Sequence, residues 1–456
     1  MKRLLFCLVA LIAVVALVVP SYAAEMKING MNHIRAISRD NYDGNDDVDD
    51  NANYVTQRFR MYFSSIASEN LKLVYKNEID IEWGDVGAGA GSRGDGGGLA
   101  ADTVNLETKN IYVEFMVPDT PVKATLGLQG ITLHQGWFFS NDVSAARFDM
   151  NFDPITVTAY WAGLYGMNVD NNASDDSWQI VVSGGYKAEN MDARLSLGYE
   201  RGPNEGGGTQ FYGSGAGIDY DAAQTDDNDF YLLMGEFGMS FDMVSFNVIA
   251  GMNFGEADGT GAATQANRKY EGYMFQAKVN LALDMATLRA QFVYASGDKE
   301  GDFDEDFRGM AGMAVDWGSE IMANGYFYDR DARVRQIGGD MYTNGDESPN
   351  NLWSVGVGAD FKPADNTTIS ANVLYIAMVE ERSVGCDPTV DSCDEDTIGV
   401  EVNARLAQKI YPNLTLNLVG AYLFADDGYG DYNPDSWADN SGDDAYQVGI
   451  GVDYSF

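Results

Sequence analysis

Apolar and polar residues alternate with a period of two along much of the chain, and the last stretch shows the pattern most plainly. Between Asp444 and Phe456, the residues Tyr446, Val448, Ile450, Val452, Tyr454 and Phe456 share one parity, and Ala445, Gln447, Gly449, Gly451, Asp453 and Ser455 share the other. Successive side chains of a strand point to opposite faces, so this strand has one wholly apolar face and one small or polar face. The same alternation recurs upstream. Phe59, Met61 and Phe63 alternate with Arg58, Arg60 and Tyr62; Ile111, Val113 and Phe115 with Asn110, Tyr112 and Glu114; Ala193, Leu195, Leu197 and Tyr199 with Arg194, Ser196, Gly198 and Glu200.

The connections between these strands fall into two classes. Short polar turns stand at Ser68-Glu69-Asn70, Pro118 to Pro121, Asp153-Pro154, Glu189-Asn190, Asp242, Asp284-Met285, Pro363 to Asn366 and Tyr411-Pro412-Asn413. Between them lie long segments rich in Asp, Asn and Gly, near 40–53, 84–106, 167–177, 202–228, 255–269, 297–350, 381–396 and 425–443. Tight turns on one side and long loops on the other are the pattern of a transmembrane β-barrel of the bacterial outer membrane. Eight turns joining sixteen strands, with one strand before and one after, give an expected all-β, antiparallel barrel of about eighteen strands. Sixteen strands is the alternative, because 144–152 is short and 297–350 is long. The polar parity faces inward, so a water-filled lumen is expected. A soluble sandwich or a solenoid would also alternate, but a sandwich of this length would show linkers and a solenoid a fixed repeat.

Composition adds compartment and partners. Met1 to Ala23 has a basic start at Lys2 and Arg3, an apolar run from Leu4 to Val19, and the small residues Ser21 and Ala23 around Tyr22, which reads as a signal peptide over 1–23. Residues 24–456 then form one barrel domain. No other apolar run is long enough for a spanning helix. Cys7 lies within the signal, and Cys386 and Cys393 are expected to form a local disulfide in an oxidising periplasm. The full chain carries 29 basic and 69 acidic residues, a net charge of −40, which argues against nucleic acid as a partner because phosphate binding needs clustered Lys and Arg.

Charged residues concentrate on the polar parity of the first three strands. Lys27, Asn29, His33, Arg35 and Arg39 belong to the first, Arg58 and Arg60 to the second, and Lys72, Lys76, Glu78, Asp80 and Glu82 to the third. A turn centred on Glu69 places Arg58 opposite Asp80, Arg60 opposite Glu78 and Tyr62 opposite Lys76. Arg35, Arg58, Arg60, Lys72, Lys76, Glu78, Asp80 and Glu82 are therefore the candidate pore-lining set. Two readings stand side by side: paired charges that stiffen the wall, or a constriction whose charges set ion preference and orient polar solutes.

The acidic loops Asp40 to Asp50, Asp226 to Asp229, Asp298 to Asp306 and Asp426 to Asp444 read first as solvated rim. Weak Ca²⁺ binding there, beside lipopolysaccharide, is the alternative; no cofactor and no dedicated metal site are otherwise expected. The 297–350 segment carries apolar patches at Met310 to Trp317 and Ile321 to Tyr328. It is expected to fold into the barrel or over its mouth as a constriction or plug loop, an outer hairpin or subunit contact being the alternative. The loop after the fifth strand, His134 to Val143, contains Trp137, Phe138 and Phe139 but is short for a constriction. An enzyme is not expected: His33 and His134 are the only histidines, and a barrel hydrolase needs a Ser–His pair with an orienting group on the outer face.

The stretches E-M-K-I-N-G (Glu25 to Gly30), Q-R-F-R (Gln57 to Arg60), S-E-N-L-K (Ser68 to Lys72) and E-I-D-I-E-W-G-D (Glu78 to Asp85), with the aromatic last strand, make the chain similar to the homotrimeric outer-membrane porins, general diffusion porin-like barrels. In many general porins the third loop forms the constriction, and the shortness of His134 to Val143 departs from that. The resemblance implies passive diffusion of ions and small hydrophilic solutes, a homotrimer in outer-membrane lipid, and recognition of the strand ending at Phe456 by the barrel-assembly machinery. A solute-specific channel and a non-conducting structural or adhesive barrel are the alternatives.

Overall fold

A computed structural model describes residues 24–41, 51–84, 94–99, 104, 106–165, 177–202, 225–259, 268–297, 307, 310, 315–323, 325–326, 351–380, 396–426, 428–429 and 442–456. The expected signal peptide at 1–23, the Cys386 and Cys393 pair and most of the acidic loops lie outside the described residues. Among the described residues, twenty strands form one sheet: β1 (Glu25–Asp40), β2 (Ala52–Ser68), β3 (Leu71–Trp83), β4 (Gly94–Gly97), β5 (Glu107–Met116), β6 (Val122–Leu133), β7 (Phe139–Asn151), β8 (Ile155–Tyr165), β9 (Ser177–Lys187), β10 (Met191–Gly202), β11 (Thr225–Phe241), β12 (Val244–Gly259), β13 (Arg268–Tyr270), β14 (Tyr273–Ala282), β15 (Ala286–Ala295), β16 (Leu352–Ala364), β17 (Thr367–Ala377), β18 (Thr397–Tyr411), β19 (Leu414–Ala425) and β20 (Ala445–Ser455).

Setting aside the short β4 and β13, eighteen strands pair antiparallel with their chain neighbours and close into a barrel. Closure is the β1–β20 ladder, from Met31 opposite Ser455 to Asp40 opposite Tyr446. The last residue completes it: the Gly30 N–H donates to the Phe456 carbonyl at 3.0 Å and the Phe456 N–H to Gly30 O at 3.1 Å. Eighteen strands, not sixteen, is the outcome. The turns that join them are tight where an acidic or amide side chain tolerates left-handed backbone, as at Asp119 (φ 60°) and Asp242 (φ 47°).

The outer face is apolar and exposed, as a lipid-facing surface must be. Val355, Val357, Ile369, Val373, Val402, Leu418, Val448 and Ile450 are all exposed large hydrophobics. Aromatic residues stand at its two levels: Tyr186, Phe237, Phe246, Phe361 and Tyr454 towards the short turns, and Trp178, Tyr199, Tyr231, Tyr273, Tyr294 and Tyr422 towards the long loops. Such girdles border the apolar band, ~25 Å tall, of outer-membrane barrels.

Two expectations change inside the barrel. The first concerns the hairpin after β5. The segment 144–152 is not a short strand following a loop at 134–143; β6 and β7 pair continuously from Val122 opposite Met150 to Leu133 opposite Phe139, capped by a 3-10 turn at His134–Gly136. β5 accompanies β6 only as far as Leu128, and β8 accompanies β7 only as far as Ser144. Freed on both edges, the end of this hairpin leaves the wall and turns into the lumen.

The second concerns the inner face, which is not polar throughout. On the loop side, Tyr160, Ala162, Val181, Leu232, Met234, Ile249, Met274, Val293, Leu352, Leu374, Ile376 and Leu423 point inward and are buried. They form one core with Trp137, Phe138 and Phe139 of the hairpin and Phe307, Met310, Val315, Trp317, Ile321 and Met322 of the long segment. Burying such side chains is worth ~1.5–3 kcal/mol each, which is what keeps both segments inside.

Placing a charge on the outer face should cost far more than changing a packed hydrocarbon. Val357, 61 % exposed midway along β16, is the test site: Val357→Arg should lower unfolding free energy by ~2–4 kcal/mol in reversible denaturation from liposomes, and Val357→Leu should leave it nearly unchanged.

Candidate functional site

The short turn at Glu69 and Asn70 sets the register of β2 on β3, and the register brings the candidate charges together. Arg58 lies opposite Asp80, Arg60 opposite Glu78 and Tyr62 opposite Lys76. Arg58 donates from Nε to Asp80 Oδ1 at 2.6 Å and from Nη2 to Oδ2 at 2.8 Å. Arg60 Nε donates to Glu78 Oε2. Glu78 is 0 % exposed and Asp80 5 %, so the carboxylates lie behind the guanidinium groups and the basic groups face the lumen. Lys76 sits over the Tyr62 ring, 4.9 Å from its centroid. Glu82 lies opposite Thr56 at the loop end of the ladder.

Residues outside the candidate set extend this wall. Lys109 Nζ lies 3.0 Å from Asp142 Oδ2 and 3.5 Å from Glu78 Oε1, and Asn110 Nδ2 donates to Asp142 Oδ1 at 2.6 Å. Asp142 belongs to the inward hairpin, so its partners across the gap are set by tertiary geometry. Nearer the short turns a second ladder runs from Lys72 to Glu114 at 2.9 Å, Glu114 to Lys123 at 3.7 Å, Lys123 to Asp149 at 3.8 Å and Asp149 to Arg147 at 2.9 Å.

The polar lining continues in the other direction. Arg289 meets Asp360 at 3.3 Å and donates to Asn372 at 2.9 Å; Asn372 donates to Asn403 at 2.7 Å; Arg405 donates to Asn417 at 2.9 Å; and Asn417 donates to Asp453 at 2.9 Å. Asp453 faces His33 at 3.5 Å across the closing seam. Polar side chains thus run from β16 through the seam to the hairpin.

The hairpin crosses to the far wall. Trp137 Nε1 donates to Gln276 on β14 at 3.0 Å, and Gln135 Nε2 donates to Glu236 on β11 and Asn247 on β12, both at 2.8 Å. His134 Nε2 is 2.7 Å from Ser196 Oγ, and its Nδ1 is 3.5 Å from Glu236 Oε2. This Ser–His–Glu order resembles a hydrolytic triad. Ser196, however, is 0 % exposed beneath the hairpin and its hydroxyl is taken up by Ser183 at 2.8 Å, so the relay ties hairpin to wall and offers no path to a substrate.

The described part of 297–350 forms a strap along the inner wall. Gln291 donates to Trp317 O, Asn403 to Gly318 O at 2.9 Å, and the Met310 N–H to Phe138 O at 3.0 Å, which joins strap to hairpin. Glu401, wholly buried on β18, is the anchor. It accepts from the Ser319 hydroxyl, from the Glu320 N–H at 2.7 Å, from the Ile321 N–H at 3.4 Å and from Asn403 at 2.7 Å. At the strap's far end Tyr326 lies between Arg35 and Arg405, 4.7 and 4.3 Å from its ring centroid, and its hydroxyl donates to Asp453 at 3.0 Å. Glu320 Oε2 accepts from the Tyr326 N–H at 2.7 Å. Burial pushes the Glu320 carboxyl up to about 7 against the pull of that N–H, and the carboxylates of Glu401 and Asp316 add to the shift.

Glu401, Asp142, Lys109, Asp453 and Tyr326 are among the lumen residues missing from the candidate set. Among the described residues, no group of three or more His, Cys, Asp or Glu side chains is placed to hold a metal ion. No family model and no curated sequence matches the chain. Its architecture does match solved structures from Pseudomonas aeruginosa: OccK2 (OpdF), 12 % identical, covering 95 % of this chain and 98 % of that one with a TM-score of 0.57; OccK2 in complex with glucuronate, 12 % identical, the same coverage, TM-score 0.55; and OpdK with vanillate, 10 % identical, again 95 % and 98 %, TM-score 0.55. At these identities the likeness is one of fold, the closed eighteen-stranded barrel of the Occ/OprD outer-membrane porins.

Two outcomes follow for the strap. Glu401→Ala removes the acceptor of three hydrogen bonds that fasten the strap, each worth ~0.5–1.5 kcal/mol, so the strap should leave the wall and the variant should reach a higher conductance level than the parent. The carboxyl of Glu320 titrates at about 7 when docked, above its ordinary value of 4.5. Its protonated form therefore favours docking, a contribution complete below the ordinary carboxylate range and lost as pH rises through about 7. Conductance should rise between pH 6 and pH 8, and Glu320→Gln should flatten that rise.

Proposed function

We propose that the protein is an outer-membrane channel that admits ions and small hydrophilic solutes by passive diffusion, through a polar passage between the charged wall of β1–β5 and the hairpin and strap folded against the opposite wall. The observation that carries this reading is the chain of partly exposed polar groups from Asp360 through Arg289, Arg405, Asp453 and His33 to Arg58, Arg60 and Lys109, lining the inside of a closed barrel whose outside is apolar. Desolvation costs several kcal/mol per ion even for paired charges, so groups of this kind fit a lining that water reaches. The same closed barrel and apolar belt place the protein in the bacterial outer membrane. The role proposed is transport rather than catalysis, and among the described residues the arrangement resembling a hydrolytic triad is sealed beneath the hairpin.

A solute-specific channel is the second reading, favoured by the inward hairpin and strap, which leave a passage walled mainly by β1–β5 and β18–β20. Two solved structures of similar fold are complexes with carboxylates, OccK2 with glucuronate and OpdK with vanillate. The basic groups that face this lumen fit that chemistry. Assembly as a homotrimer belongs to the same proposal.

Liposome swelling with graded sugars and with sodium salts of small carboxylic acids tests the pair of readings. Diffusion predicts rates that fall with solute size alone; a specific channel predicts one carboxylate entering faster than a neutral solute of equal size. Folded protein that admits neither would overturn both. Arg58→Glu with Arg60→Glu should raise cation preference, read as a change in reversal potential under a salt gradient.

A further inference from the structure

Tyr326, at the far end of the strap, fills a socket built from the barrel wall alone. Its ring packs on the apolar pair Ile37 of β1 and Val419 of β19. The guanidinium groups of Arg35 and Arg405 stand 4.7 and 4.3 Å from the ring centroid, a distance at which a cation is attracted to the π face. The hydroxyl lies 3.0 Å from both carboxylate oxygens of Asp453, to which it donates, and it accepts from Asn417 Nδ2 at 2.9 Å. Ring, donor and acceptor of the phenol thus each have a partner.

The wall groups hold one another in place without the strap. Arg405 donates to Asn417 Oδ1 from Nε at 3.1 Å and from Nη2 at 2.9 Å, which turns the Asn417 amide nitrogen towards Asp453, 2.9 Å away. On the other side of the seam, Arg35 Nη2 lies 3.0 Å from His33 Nδ1, which faces Asp453 at 3.5 Å. A site ordered before its occupant arrives spends little freedom on binding. Gly451 of β20 leaves room for the phenol: a Cβ there would meet the Tyr326 oxygen at 2.2 Å, and its three nearest neighbours would all be atoms of the Tyr326 side chain.

We propose that this socket on β1 and β18–β20 is a recognition site for solutes that carry a phenol, and that Tyr326 holds it as an internal substitute which such a solute displaces. The proposal deepens the solute-specific reading above and rests on it for the solute's route, while binding itself needs no current to flow. The group recognised is an uncharged hydroxyaryl: the wall meets its ring and its O–H, and no carboxylate on the solute is called for. A tethered tyrosine competes at an effective concentration on the order of mM. An untethered phenol therefore exchanges with it in the same range.

The test is the fluorine NMR line width of 3-fluoro-4-methylphenol added to the full protein in lipid nanodiscs, measured against empty nanodiscs, with single-channel current recorded in parallel. The parent should broaden the line with an apparent affinity in the mM range, and Tyr326→Ala, which vacates the socket, should bind about ten-fold tighter or more. Unlabelled 4-methylphenol should compete, whereas 4-methylanisole, which has the ring but no O–H to donate, should not. Gly451→Ala sets a methyl group where the phenol oxygen sits and should abolish binding both alone and combined with Tyr326→Ala, with β-sheet content unchanged. No broadening by Tyr326→Ala, equal competition by the methyl ether, or binding that survives Gly451→Ala would overturn the site. A parent that binds nothing at tens of mM would overturn the exchange with Tyr326. Phenol binding by a protein that passes no current would support the site and overturn the transport reading, and a conducting channel without binding would overturn the site alone.

Discussion

Every backbone N–H and C=O that crosses an apolar layer must be hydrogen-bonded within the protein, and the closure of β1 on β20 is where this chain meets that requirement. An open sheet would leave two edges in hydrocarbon. The ladder from Met31–Ser455 to Asp40–Tyr446 removes both, and the final residue takes part through its backbone pair with Gly30 and its ring, 6.3 Å from Phe59. Once the ring is closed, strand alternation divides the side chains into a lipid face and a lumen face. The polar groups that line the interior follow from that division.

The lumen follows a further rule of its own. Strand edges that are unpaired in the wall can be tolerated where protein rather than lipid surrounds them. The end of the β6–β7 hairpin loses its neighbours at Leu128 and Ser144 and goes inward, where Trp137 and Phe138 become fully buried. The strap then covers the remaining apolar wall and is fastened by polar contacts, Glu401 in the middle and Tyr326 at the end. One side of the lumen becomes a dry packed layer, and the other keeps its charges. The asymmetry gives the passage a basic wall and a protein-filled wall.

Much of this was legible in the sequence. A period of two and eight short turns gave the strand count, and a turn centred on Glu69 gave the pairing of Arg58 with Asp80 and Arg60 with Glu78. The apolar patches near Trp317 and Ile321 indicated a long segment that would leave water, and both residues are buried in the lumen. The apolar inner wall was missed although a signal existed: Tyr160-Trp161-Ala162, Tyr231 to Met234 and Leu374-Tyr375-Ile376 are unbroken apolar runs, which mark strands covered on both faces. Glu401 and Asp142 were not legible, because their partners lie far away in sequence or on a hairpin that leaves the wall. Alternation reports which face a residue takes, not what crosses the space in front of it.

The central claim is that a continuous polar passage remains beside the hairpin and strap. Single-channel recording of the purified, refolded protein in a planar bilayer addresses it directly. Stepwise current increments with a steady open level, and a reversal potential that departs from zero under a salt gradient, are what the account predicts. Protein that inserts with full β-sheet content and passes no current would contradict it and make the barrel a plugged structural element.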